Sequence, residues 1–210
     1  RQLDVHVHGR DSWDSQFFVK IWRLLFYRSG GHNVTVNRRH QIEHQAYLTL
    51  FAQREGVSVM PFVAAAMASR GDALFVSDRM GNGFGPGDEV LSDELLADAW
   101  PSLERLHEPG LRHGGITPDD LQTSDGRAYL GNFDRAIAWD DMSRQLDEAQ
   151  LLTSTAVAVG VDRAVGAATD ALGIDRLTAA TTFVQPAAMM PSLRKQAAAA
   201  DLDIDDLRKA

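Results

Sequence analysis

The chain has 210 residues, 44% of them apolar, and its 29 acidic side chains outnumber 21 basic ones to leave a formal charge of −8. That length carries one large domain or two small lobes with cores of their own, while the negative balance and the lack of any long Lys/Arg cluster argue against a nucleic-acid partner, which needs a basic face. With no cysteine, disulfides, thiolate metal sites and a cysteine nucleophile are excluded, and no window approaches the roughly 20 apolar residues of a membrane span.

The opening residues lack the basic-then-apolar layout of a signal peptide, and the chain reads as soluble. Residues 3–9 (LDVHVHG) and 16–22 (QFFVKIW) are alternating or apolar runs separated by a polar turn, a pattern that predicts two adjacent antiparallel strands. From about 37 to 55, Ile42, Ala46, Tyr47, Leu50 and Phe51 recur at helical spacing and Gly56 supplies a stop. Two more strand-like runs follow, VSVMPFVAAAM and DALFVSD, and end at MGNGFGPGDE, a glycine-rich stretch expected to be a flexible hinge. Beyond it the spacing predicts helices over 92–107, 143–159, 161–172, 175–184 and 191–208, with a polar loop and short strands between about 108 and 136. The Ala-rich tail from Ala197 is helix-prone.

Strands with a single helix thus precede a hinge and a mainly helical part, with a cleft expected between the two. The polar loop reads His113-Gly114-Gly115-Ile116-Thr117-Pro118-Asp119-Asp120; LERLHEPGLR leads into it and AYLGNFDRA follows. These segments resemble the protein-kinase-like superfamily, whose catalytic loop in small bacterial branches reads H-G-D-L/I-x-P-x-N and whose metal loop reads L-V/I-D-F-G-x-A. Lys20 in FFVKIW matches the family's third-strand lysine, and Glu43 in QIEHQAYLTLF matches the helix glutamate that pairs with it. The runs EHQAYLTLFAQREGV and DEAQLLTSTAVAVGVDRAV resemble, more narrowly, the kinase-like domain of actinobacterial multi-pass membrane proteins of the lysylphosphatidylglycerol-synthase-like, flippase-related family.

The resemblance implies an α+β, bilobal protein-kinase-like fold. A small antiparallel β-sheet lobe with one helix is expected over 1–80, a hinge over 81–90, and a larger helical lobe carrying the catalytic and metal loops over 91–210. By the family's usual distance to the lysine, its first strand and glycine-rich phosphate loop are expected upstream of Arg1. The narrower resemblance implies a place on the cytoplasmic side of the plasma membrane, with a transmembrane region of the same polypeptide or of a partner protein as the neighbour.

Phosphoryl transfer is mostly positioning and charge neutralisation, so each carboxylate counts. Where the family has its catalytic aspartate this chain has Gly115, with no side chain to accept a proton. The metal-binding aspartate is replaced by Asn132, a neutral and weaker magnesium ligand, and the glycine two positions on by Asp134. Asp120 replaces the loop asparagine and still suits a hard cation. The expectation is a pseudokinase: Lys20, Glu43 and Asp120 remain as a partial nucleotide site, Asp120 and weakly Asn132 as metal positions, and ATP with magnesium binds weakly or not at all. His113 and Pro118 keep the loop's shape. Asp147 falls where related kinases place a helix aspartate that hydrogen-bonds the loop backbone, with a plain helix N-terminal carboxylate as the alternative.

Two rival readings stand beside this one. An atypical ATP-dependent phosphotransferase would work through Asp119, Asp120 or Asp134. A zinc hydrolase would use His40-Gln41-Ile42-Glu43-His44, which satisfies the inverted H-x-x-E-H pattern but leaves the other motifs unexplained; no zinc is expected. His6 and His8 share one face of a strand, with nothing nearby to complete a metal site, and are expected to face solvent.

Overall fold

A computed structural model describes residues 3–8, 38–68, 72–79, 81–84, 91–138 and 141–210. Lys20, the predicted second strand at 16–22 and the later part of the glycine-rich stretch, 85–90, lie outside the described residues.

Two structural parts follow one another along the chain. The first is a three-stranded antiparallel sheet of β1 (Leu3–His8), β2 (Phe62–Met67) and β3 (Ala73–Asp78) in the order β1-β3-β2, with helix α1 (Arg38–Arg54) packed on it. Ile42 and Ala46 of α1 meet Ala73, Phe75 and Phe62 in a small core, and the Phe62 and Phe75 rings lie 5.4 Å apart. Leu48 and Ala52, further along the same helix, belong instead to the large core that runs through the rest of the molecule. Helix α1 therefore serves both cores, and burial of each Leu- or Ile-sized side chain contributes about 1.5–3 kcal/mol.

β4 (Asn82–Gly83), β6 (Leu121–Ser124) and β7 (Arg127–Leu130) form a second antiparallel sheet in the order β4-β6-β7. β5 (Leu111–Arg112) pairs with β8 (Ile137–Ala138). The helices are α2 (Asp93–His107), α3 (Asp141–Val159), α4 (Val161–Leu172), α5 (Ile174–Thr181), α6 (Pro191–Ala199) and α7 (Ile204–Lys209). In α2, Ser92 caps the first turn by accepting from Leu95 N–H at 3.4 Å. Leu96, Ala99, Trp100, Leu103 and Leu106 form its buried stripe, and Pro101 points to solvent on the opposite side. Every residue of α3 from Asp147 to Ala158 is buried, which makes it the central helix of this part. The chain is thus a mixed α+β protein, a small antiparallel sheet with, among the described residues, one helix, followed by a mainly helical portion.

Several local expectations need correction. The run 191–208 is two helices, because Asp201 takes a left-handed turn (φ 53°) and Asp203 then caps α7 by accepting from Asp205 and Asp206 N–H at 2.8 and 3.1 Å. At the start of the glycine-rich stretch Asn82–Gly83 pairs with β6 and Phe84 is wholly buried, which leaves the expected hinge over 81–90 open. β1 pairs with β3, while its predicted neighbour at 16–22 lies outside the described residues and that pairing stays an expectation. Its alternation is inverted relative to expectation, since Asp4 and His6 turn partly inward while Leu3, Val5 and Val7 are about half exposed. The inward face meets a polar partner, Gln122, and the strand's pleat carries the apolar set outward as a consequence.

Candidate functional site

The loop from His113 to Asp120 leaves β5 and enters β6 through a short 3-10 turn, Pro118–Asp120. Pro118 starts that turn, where a missing N–H costs nothing. Asp120 Oδ2 closes it by accepting from Thr117 N–H at 2.9 Å and from Thr117 Oγ1–H at 2.7 Å. Upstream, Gly114 sits at φ 77°, and a Cβ there would collide with the Arg135 carbonyl oxygen. Sequence and steric demand agree at that position, because only glycine takes this conformation without strain.

Helix α3 holds the loop from below with three polar side chains on one face. The Asp147 carboxylate accepts from His113 N–H at 2.7 Å, from Gly114 N–H at 2.9 Å and from His107 Nε2–H at 3.1 Å, with no solvent exposure of its own. Gln150 Oε1 accepts from Ile116 N–H at 2.8 Å, and Ser154 Oγ–H donates to the Ile116 carbonyl at 3.1 Å. Positions 147, 150 and 154 follow helical spacing, a signal legible in the sequence that pattern reading left unused beyond Asp147. Burial holds the His107 imidazole below its ordinary pKa against the opposing pull of Asp147, so it is neutral, donates through Nε2 and leaves a buried Nδ1 without a partner.

His113 is fully buried, donates through Nε2 to the Gly131 carbonyl at 2.7 Å and rests its ring on Phe133 at 5.1 Å. It thereby joins the loop to the segment carrying Asn132. Asn132 adopts the left-handed conformation (φ 55°, ψ 64°), which asparagine tolerates better than most residues, and its side chain lies near enough to the Asp120 carboxylate to favour its ionised form. Asp120 and Asn132, the two predicted metal positions, therefore meet. Burial raises the Asp120 pKa, with His113, Thr117 and Asn132 opposing that shift.

Gly115 occupies the position of greatest chemical interest. A Cβ built there would run into the Met190 thioether and come within 3.0 Å of Arg135 Cδ. The space a side chain would enter is already filled from Met190, just before α6, and from the segment after Phe133. Asp119 is exposed and accepts from Gln196 Nε2–H of α6 at 2.6 Å. Asp134 faces its neighbour Arg135 at 3.9 Å, too long for a direct hydrogen bond.

On α1, Glu43 is half exposed and paired with Arg39 at 2.7 Å, one turn earlier on the same helix. Gln45, two positions on and so on a different face, is wholly buried, and neither polar atom of its amide has a partner. It continues the stripe of Leu48 and Ala52 that faces the large core. Two polar residues so close together are indistinguishable by composition; only the packing of α1 reveals that Gln45 is the inward one. His40 is exposed and His44 half-buried, and among the described residues no three His, Cys, Asp or Glu side chains come together as a metal nest.

Chemically, the loop is a rigid, well-bonded turn that carries a polar pair, Asp120 with Asn132, and no proton acceptor at position 115. No protein-family model matches the chain, and no curated protein matches it. Among solved structures it is similar to vaccinia related kinase 3, with 14% identity, covering 99% of this chain and 77% of that one at a TM-score of 0.44.

Proposed function

We propose that the chain is a protein-kinase-like domain that binds or scaffolds without transferring phosphate. The observation that carries the reading is Gly115: the loop that resembles a catalytic loop lacks its carboxylate, and Met190 and Arg135 pack where one would stand. A missing base alone could be a gap in the sequence pattern; a missing base whose volume is taken by a thioether supports a site that has settled into a different packing. The residual polar capacity is Asp120 with Asn132, to which the resemblance adds Lys20 and Glu43 for the phosphates of a nucleotide. Asp120 is committed to Thr117, so magnesium would compete with hydrogen bonds already made, and weak binding follows.

The resemblance to lysylphosphatidylglycerol-synthase-like proteins supplies the setting we propose, a regulatory or scaffolding module beside a transmembrane region on the cytoplasmic face. Among the described residues no helix is long and apolar enough to cross a membrane, so such a region would have to come from elsewhere.

Calorimetry with MgATP, with Lys20→Ala as the control, together with phosphate release from labelled ATP, tests this reading. Binding lost in the variant and no release in either form is the expected result for a nucleotide-sensing module. Absence of binding at millimolar MgATP leaves a scaffold alone, and phosphate release abolished by Lys20→Ala overturns the proposal in favour of an atypical phosphotransferase.

A further inference from the structure

In the order β1-β3-β2 the strand β2 stands at an edge of the first sheet, and among the described residues its outer side pairs with nothing. A sheet edge presents unpaired backbone N–H and C=O groups, which folded chains guard with charges, prolines or bulges. Here the guards stand at one end only: Pro61 precedes the strand, and the register with β3 shifts between Phe62 and Ala64. From Ala64 to Met67 every side chain is exposed and none carries a charge. Ala65 and Met67 share a face with Phe75 and Ala73, which are buried in the small core against α1, yet both remain exposed, so this half of the strand stands clear of the helix. Ala64 and Ala66 lie on the other face, beside Val76 and Leu74 of β3 and, beyond them, Val5 and Val7 of β1. That outer face is apolar across three strands. β1, the other edge among the described residues, carries Asp4, His6 and His8 and is where the strand predicted at 16–22 is expected.

We infer that the outer edge of β2 pairs antiparallel with the same strand of a second copy, joining the two sheets across a two-fold axis near Ala65. An isologous pairing sets each residue against one from the same segment, so it suits a segment that does not repel itself. Phe62–Met67 meets that condition: about Ala65 the opposed pairs are Ala64 with Ala66 and Val63 with Met67, all small or apolar. The edge offers no counter-charge to a charged foreign strand, and the joined sheet continues the apolar outer face from one copy into the other. Six residues at about 3.4 Å each make a contact line of about 20 Å. One strand pair along such a line buries less than the roughly 1,200 Å² at which stable interfaces begin, so the dimer is weak and forms on the order of 100 µM chain. Each copy carries a formal charge of −8, and salt that screens this repulsion tightens the pairing. The inference is independent of the nucleotide reading.

Sedimentation velocity of the full chain from about 10 µM to about 1 mM tests it, together with hydrogen exchange at the two ends of that range. The mass is expected to rise from one copy toward two, more steeply at higher salt, while amides within 62–67 gain protection. Ala65→Lys sets like charges against each other at an exposed position where the fold tolerates them, and is expected to weaken the dimer at least about tenfold. Ala65→Thr, uncharged and at home in a strand, should dimerise like the parent, and so should Val5→Lys, which charges the outer face two strands away. A parent chain that stays monomeric at about 1 mM overturns the dimer and leaves the edge to some other extended segment. A dimer that persists unchanged in Ala65→Lys, or protection gained outside 62–67, overturns the assignment to this edge. Loss of the dimer in Val5→Lys but not in Ala65→Lys overturns it in favour of packing through the outer face.

Discussion

Removing the Asp147 carboxylate is expected to be among the most damaging single changes in this chain. In Asp147→Ala, the N–H groups of His113 and Gly114 and the Nε2–H of His107 lose their acceptor, all within a site where Asp147 itself has no exposure. An orphaned buried donor costs about 1–3 kcal/mol, and some of that is recovered as the loop relaxes or admits water, so the expected loss is about 3–5 kcal/mol. Against a domain stability of about 5–15 kcal/mol this is a large fraction. Asp147→Asn keeps one acceptor oxygen but sets an amide N–H₂ against one of the donors, and about half that loss is expected. Urea denaturation of both variants measures the energies, and hydrogen exchange at His113 and Gly114 localises them. A loss below about 1 kcal/mol for Asp147→Ala, or unchanged exchange at those two amides, would refute the claim that α3 holds the loop through this side chain.

Four further outcomes follow from the same structure. Asp120 has a raised pKa in the fold, so the unfolded chain ionises first and stability drains away as pH rises from 3.8 through the folded value; Asp120→Asn should therefore exceed the parent chain in stability at pH 7, with the gap closing as the buffer is taken toward about pH 4. His107 is held below its ordinary value of 6.5, so its contribution is present above that pH and is lost as pH falls through the folded value, and an acid titration of stability should be flattened in His107→Gln. Glu148 is buried between Arg144 (3.3 Å) and Arg176 (2.7 Å), whose side chains are each more than a third exposed; Glu148→Ala should cost about 2 kcal/mol, discounted for that exposure, while Glu104→Ala, on the same two arginines but itself exposed, should cost under about 1 kcal/mol in the same denaturation assay. Gln45→Met removes two unpartnered buried polar atoms at nearly constant volume and should gain about 1 kcal/mol; a loss instead would reveal that the Gln45 amide is engaged.

Periodicity and punctuation carried the reading of the local elements. Helix α4 spans 161–172 as its spacing predicts, and α2 begins one residue after the predicted 92, its Ser92 serving as the cap. The tail reads as one helix because Ala197–Ala200 are strong helix formers whatever follows, whereas the break depends on one left-handed aspartate, a conformation that composition does not announce. The loop was legible as a turn from its glycines and Pro118. Its fastening was only partly so: the Asp147 position came from resemblance, while Gln150 and Ser154 sat unread on the same face of α3.

By itself, the sequence determined that this is a cysteine-free, acidic, α+β chain, that strands with one helix precede a helical part, and that position 115 carries no base. These are local or compositional properties, set by residues within a turn or two of one another. The tertiary structure alone decided that Met190 fills the space beside Gly115, that Gln45 and not Glu43 is the buried polar residue of α1, and that Asp4 reaches Gln122. Each of these depends on which face of an element turns inward or on contacts between residues 75 to 118 positions apart, and side-chain chemistry read in order along a chain contains neither quantity.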